Sequence, residues 1–227
     1  MKKILTIGLV VASFAATSSF GQGYFQFQTA KSQAYDGSGA TAVLAATVDV
    51  TFLWAPVGTA NSGILATGSS KTGNNTTTST QAGYTDAQAW TAILGSGFTP
   101  AVNSANSTPA ILLTAANGYV NYNGGASFGV TGTSSPSGTT QYALFMVGWT
   151  GGYADLATAA SNHAPVGWST VFTYTAGQNG SSSVANFATA APGTAFGVFS
   201  PVVVPEPTTL ALAGLSGASL LLFRRKK

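Results

Sequence analysis

From Tyr24 onward the apolar positions of this chain recur every second residue. Tyr24-Phe25-Gln26-Phe27-Gln28 alternates, with Phe25 and Phe27 on one face. Thr47 to Trp54 repeats the pattern more clearly. Val48, Val50, Phe52 and Trp54 point one way, and Thr47, Asp49 and Thr51 the other, which predicts a half-buried strand. Tyr142 to Trp149 is apolar on both faces and predicts a central strand. Val166 to Thr175 alternates again, so Val166, Trp168, Phe172 and Tyr174 are expected on one face of one strand. Ala110 to Thr114 and Tyr119 to Tyr122 flank Asn117-Gly118, a turn signal that predicts a hairpin. Ala195 to Phe199 reads as the last strand.

Helical spacing is scarce. Thr85 and Gln88 have the spacing of a capping box, Trp90, Ile93 and Leu94 share a helical face, and Gly95 can end the helix. Tyr153 to Ala160 is a second short candidate. The polar stretches 68–83, 131–140 and 176–183 read as surface loops. No repeat of fixed period runs through the chain, which argues against a β-helix or propeller. Many short strands between turn signals predict an all-β fold, an antiparallel β-sandwich of jelly-roll-like or immunoglobulin-like type with one or two short helices.

The ends change how the charge reads. The formal net charge is +3, yet six of the eight basic residues are Lys2, Lys3, Arg224, Arg225, Lys226 and Lys227. Between Gln22 and Val204 stand only Lys31 and Lys71, against Asp36, Asp49, Asp86 and Asp155. That interior lacks the basic footprint nucleic acid requires. It also contains no cysteine, so burial alone must hold the fold.

Met1-Lys2-Lys3, the apolar run Ile4 to Ala16 and the small residues Ser19 and Gly21 have the order of an export signal. Residues 1–21 are therefore expected to be a signal peptide, cut between Gly21 and Gln22. At the other end, Pro205-Glu206-Pro207 precedes an apolar run from Thr208 to Phe223 and then Arg224-Arg225-Lys226-Lys227. An apolar helix followed by basic residues is a stop-transfer signal, which keeps the basic end in the cytoplasm and the body outside. The 16 residues from Thr208 to Phe223 span about 24 Å as a helix, short of a ~30 Å hydrocarbon core. A transient sorting helix tolerates that length better than a permanent anchor.

The segment from Val204 to Lys227 closely resembles the PEP-CTERM sorting signal of exopolysaccharide-producing bacteria. The resemblance implies export by the Sec machinery, transient anchoring, and processing near Glu206 by an exosortase, an integral-membrane cysteine protease. It also implies release to the cell envelope, surface or matrix. The expected organisation is a signal peptide at 1–21, a secreted domain at 22–199, a linker at 200–204 and the sorting signal at 205–227.

Little else in the chain points to chemistry. The body has one histidine, His163, in the loop-like Ser161-Asn162-His163-Ala164-Pro165, and no Glu, Arg or Cys. One imidazole builds no zinc cluster, and four scattered Asp name no pair for glycoside hydrolysis. Asp36-Gly37-Ser38-Gly39 lacks the further ligand spacing of a calcium loop. No cofactor or metal is expected, and no enzymatic activity. Asn74, Asn75, Asn106 and Asn179 head Asn-X-Ser/Thr triplets, which arise by chance in such a composition. Trp54, Trp90, Trp149 and Trp168 with eight Tyr are many aromatics for a small core, and exposed rings stack on sugars. Trp54 and Trp168 fall in register with core positions, whereas Tyr84, Tyr119, Tyr122 and Tyr153 lie near Gly/Asn-rich segments and are the surface candidates. The leading expectation is a structural or adhesive protein of an exopolysaccharide matrix or biofilm. The alternative is a carbohydrate-binding module with extracellular polysaccharide as its partner, and a secreted hydrolase ranks third.

Overall fold

The computed structural model describes residues 21–31, 33–36, 43–44, 48–60, 66, 68–69, 85–115, 117–178, 184–190 and 195–198. Residues 1–20 of the expected signal peptide, the linker and the sorting signal, together with Lys71, Tyr84, Asn74, Asn75 and Asn179, lie outside the described residues. Within them the protein is mostly β, with a few short helices. The strands run β1 (Tyr24–Phe25), β2 (Ala34–Asp36), β3 (Val43–Leu44) and β4 (Asp49–Pro56). After helix α1 (Asp86–Leu94) come β5 (Thr99–Pro100), β6 (Val102–Asn103), β7 (Thr108–Pro109), β8 (Leu112–Leu113), β9 (Phe128–Gly129) and β10 (Gln141–Trp149). Helix α2 (Leu156–Ser161) leads to β11 (Val166–Trp168) and β12 (Phe172–Thr175), and helix α3 (Phe187–Ala190) to β13 (Phe196–Val198).

β10 is the central strand its two-sided hydrophobicity predicts. It pairs antiparallel with β4 on one side and with β11 and β12 on the other. β5 and β8 share the outer edge of β4. Each face of this sheet supports its own hydrophobic cluster. Val48, Val50, Phe52, Tyr142, Leu144 and Met146 meet Phe25, Phe27, Phe128, Phe187 and Phe196 on the first face. Leu53, Ala55, Phe145, Val147 and Trp149 meet Trp90 and Ile93 of α1 and Ala159 and Ala160 of α2 on the second.

The half-buried expectation for β4 is therefore corrected. Thr51 is buried because Pro109-Ala110 and the helices cover that face, and its hydroxyl donates to Ala110 O at 2.9 Å. The capping box of α1 is present: Gln88 N–H donates to Thr85 Oγ1 at 3.2 Å, and Thr85 N–H to Gln88 Oε1 at 2.8 Å. Leu94 does not join its buried face and is 51% exposed, its place being taken by Ala89.

The run from Val166 to Thr175 is two strands, not one. Trp168 pairs with Val147 but Phe172 pairs with Leu144, so four steps on this side match three on β10. The extra residue is a β-bulge, and it reverses the faces. Val166 and Trp168 belong to the second cluster, whereas Tyr174 lies in the first and Phe172 packs against it. Ser169 builds the bulge. Its N–H donates to Met146 O at 2.9 Å, and its Oγ accepts Met146 N–H at 2.9 Å where a backbone carbonyl would ordinarily stand.

The expected hairpin around Asn117-Gly118 is also corrected. The turn exists, with Gly118 N–H donating to Ala115 O at 2.9 Å and Ala115 N–H to Tyr119 O at 3.1 Å, but beyond that pair its arms part. β8 pairs with β4, while Val120 O accepts Thr29 N–H at 2.9 Å. Gly118 has φ +66°, and a Cβ there would strike Ala34 O, because the turn lies against β2. Nor is the fold purely antiparallel. β13 runs parallel to β2, bringing the last described strand beside one of the first.

Candidate functional site

The acidic residues serve separate structural positions. Asp155 caps α2: Oδ1 accepts Thr158 N–H at 2.7 Å and Oδ2 accepts the Thr158 hydroxyl at 2.8 Å. The Thr158 N–H bond is the main reason its carboxyl is held below the usual range. Asp86 opens α1 and accepts Val166 N–H at 3.4 Å. Burial against β11 pushes its pKa up to about 6, and the Val166 bond only partly offsets this. Asp49 begins β4 and is likewise raised by burial. The Asp36 backbone ends β2, and its side chain lies outside the description.

His163 is exposed and has φ +49°. It is the left-handed residue that ends α2, where Ala164 N–H reaches back to Ala159 O at 2.9 Å. Its loop position thus has a backbone reason. Among the described residues, no three His, Cys, Asp or Glu side chains gather as a metal site.

The aromatics are core. Trp90, Trp149 and Trp168 are buried. Trp90 Nε1 donates to Ala164 O at 2.8 Å and ties α1 to the end of α2, and Trp149 Nε1 donates to Tyr153 O at 2.9 Å. Trp54 is half-buried against Tyr142, with ring centroids 5.4 Å apart. The three described surface candidates are not open platforms. Tyr119 accepts Gln28 Nε2 at 2.5 Å, Tyr122 lies 4.6 Å from the Phe128 ring, and Tyr153 packs on the second cluster; all are half-buried. Asn106 sits in the exposed β6–β7 turn, where its Oδ1 accepts the Thr108 hydroxyl at 2.7 Å.

What sequence reasoning missed is a polar cleft of about 500 Å³ at the β12 edge of the sheet. Ser137, Thr173, Thr175 and Gln178 supply its polar side chains, and Val184, Ala185 and Ala190 its apolar wall. Gln178 is held by donating Nε2 to Pro136 O at 2.7 Å, and Ser137 shares a 2.8 Å hydrogen bond with Thr139. These residues come from three stretches read separately as loop or strand, so no local pattern joins them. Phe187 was missed too. It is the one aromatic in the alanine-rich run from Val184 to Ala190, and its ring lies 5.1 Å from Phe52, 5.1 Å from Tyr174 and 5.2 Å from Phe27, fixing the wall beside the cleft.

Comparison with known families finds one segment. Residues 203–226 match the family described as the PEP-CTERM protein-sorting motif. The motif marks an exported protein that an exosortase sorts, anchored in the membrane by its C-terminal segment before processing. No curated protein and no solved structure matches the chain.

Proposed function

We propose that this protein works outside the cell as a structural or adhesive component of an extracellular polysaccharide matrix. The observation that carries the reading is the sorting motif at residues 203–226 joined to a body of very low charge. On this reading residues 1–21 direct Sec-dependent export. Pro205, Glu206 and Pro207 are recognised by the exosortase, Thr208 to Phe223 is the membrane helix, and Arg224, Arg225, Lys226 and Lys227 stop transfer. The strands over the Phe52 side of the central sheet form the second layer of a sandwich.

The body acts without turnover. The carboxylates of Asp86 and Asp155 are engaged in hydrogen bonds at helix starts, and Asp49 and His163 stand apart at the start of a strand and the end of a helix, which supports this reading. A second reading, carbohydrate binding, draws support from the uncharged polar cleft rather than from surface aromatics.

Localisation in an exosortase-bearing host tests the first reading. The intact protein should reach the surface or matrix fraction, and a Glu206→Ala chain should accumulate uncleaved in the membrane. Equal release of both chains would sink the sorting assignment. Normal sorting with no loss of biofilm cohesion on deleting the gene would sink the structural role.

A further inference from the structure

We propose that the cleft at the β12 edge binds a neutral saccharide. This inference rests on the carbohydrate-binding reading and deepens it by assigning the site and the class of sugar.

The backbone sets up the site. Ala176 N–H donates to Thr140 O at 2.9 Å, and the register continues through Tyr174↔Tyr142 and Phe172↔Leu144. In an antiparallel ladder hydrogen-bonded pairs alternate, so Phe172 and Tyr174 turn their N–H and C=O groups toward β10. Thr173 and Thr175 turn theirs outward, into the cleft they line. Among the described residues no second strand takes up these groups. The open stretch is closed at both ends. Gly177 exchanges hydrogen bonds with Tyr24, at 2.9 and 3.1 Å, and the bulge at Ser169 bends the chain before Phe172. The open stretch of β12 is short, with two outward-facing residues between closed ends. A compact ligand suits them better.

The chemistry selects the ligand. Alternating donors and acceptors, joined by the hydroxyls of Ser137, Thr173 and Thr175 and the amide of Gln178, match groups that donate and accept at once. Sugar hydroxyls are such groups. Val184, Ala185 and Ala190 offer an apolar surface for the C–H face of a ring. Among the described residues no charged side chain lines the cleft, so a uronate or sulfated sugar would lose hydration without gaining a partner. A volume of about 500 Å³ falls in the range of small-molecule sites.

The test uses the full-length ¹⁵N-labelled protein in a zwitterionic detergent, titrated with neutral and with uronic-acid oligosaccharides. Saturable shifts of the Thr173, Thr175 and Gln178 amides are expected with a neutral sugar, with affinity for the uronates at least about tenfold weaker. Thr173→Val with Thr175→Val, both at exposed positions, should keep the dispersed spectrum and weaken binding by about tenfold. Shifts confined to another surface would overturn this site while leaving carbohydrate binding standing. No response to any sugar would overturn both. A response at these amides to an extended Ser/Thr-rich peptide but to no sugar would make the cleft a strand-docking slot and refute the proposal.

Discussion

Replacing Ser169 with alanine tests the bulge that divides β11 from β12. Ser169 is 1% exposed and Met146 0%, so the exchange leaves Met146 N–H buried without its acceptor. An unsatisfied buried donor costs about 1–3 kcal/mol. The same hydroxyl donates to Thr170 O at 2.9 Å, but Thr170 is partly exposed and water can replace that bond at little cost. Ser169 N–H to Met146 O survives the change, so the strand should stay in register. The expected loss is thus about 1–3 kcal/mol, read as a lower urea midpoint at unchanged slope. Thr173→Ala on the exposed side of β12 is the control and should stay within about 0.5 kcal/mol. Hydrogen exchange adds a local readout, because the Met146 amide should lose protection before its neighbours do. A Ser169→Ala protein within about 0.5 kcal/mol of the parent, with the Met146 amide still protected, would refute the hydroxyl's part in the bulge.

Trp168→Ala should cost roughly 3–5 kcal/mol in denaturant unfolding, because the side chain is 0% exposed in the second cluster; a near-neutral result would contradict that placement. Asp86 has its pKa raised from 3.8 to about 6, so its contribution to stability is full below pH 3.8 and is lost as pH rises through about 6. Asp86→Asn should flatten the thermal midpoint across that window, and an unchanged pH profile would remove Asp86 as the cause. Neutralising Arg224, Arg225, Lys226 and Lys227 together should weaken stop-transfer and leave more uncleaved protein; normal processing would show that the basic tail is not part of the signal.

The sequence was most legible where one rule acts locally. The capping box at Thr85 and Gln88 and the two-sided apolar run of β10 depend on neighbours in the chain, and both formed as expected. The sorting motif is equally local, and it carries most of what the sequence says about function. Alternation misled between Val166 and Thr175 because the eye cannot see an inserted residue when both faces of a sheet are buried. Apolar residues are welcome on either side, so a one-residue slip leaves no polar mismatch. Asn117-Gly118 specified a turn but not the partners of its arms, which β4 and the Thr29 segment claimed. The cleft was illegible because its walls meet only through tertiary packing. Tyr122 and Tyr153 were half-buried because the first and second clusters each reach beyond the main strands, and Tyr119 because Gln28 engages its hydroxyl.

The placement of β13 has a consequence for timing. Gly197 lies so close to Gly167 that a Cβ on Gly167 would strike its carbonyl, and Phe196 rests directly over Gly148. An exported chain emerges with its N-terminus first, so Phe196–Val198 is the last described element to reach the outside. Until then β2 lacks its parallel neighbour and the space above Gly148 stands empty. The body therefore closes only when the chain has emerged almost to residue 203, where the matched motif begins. Completion of the fold and arrival of the sorting motif are thus consecutive events on one thread.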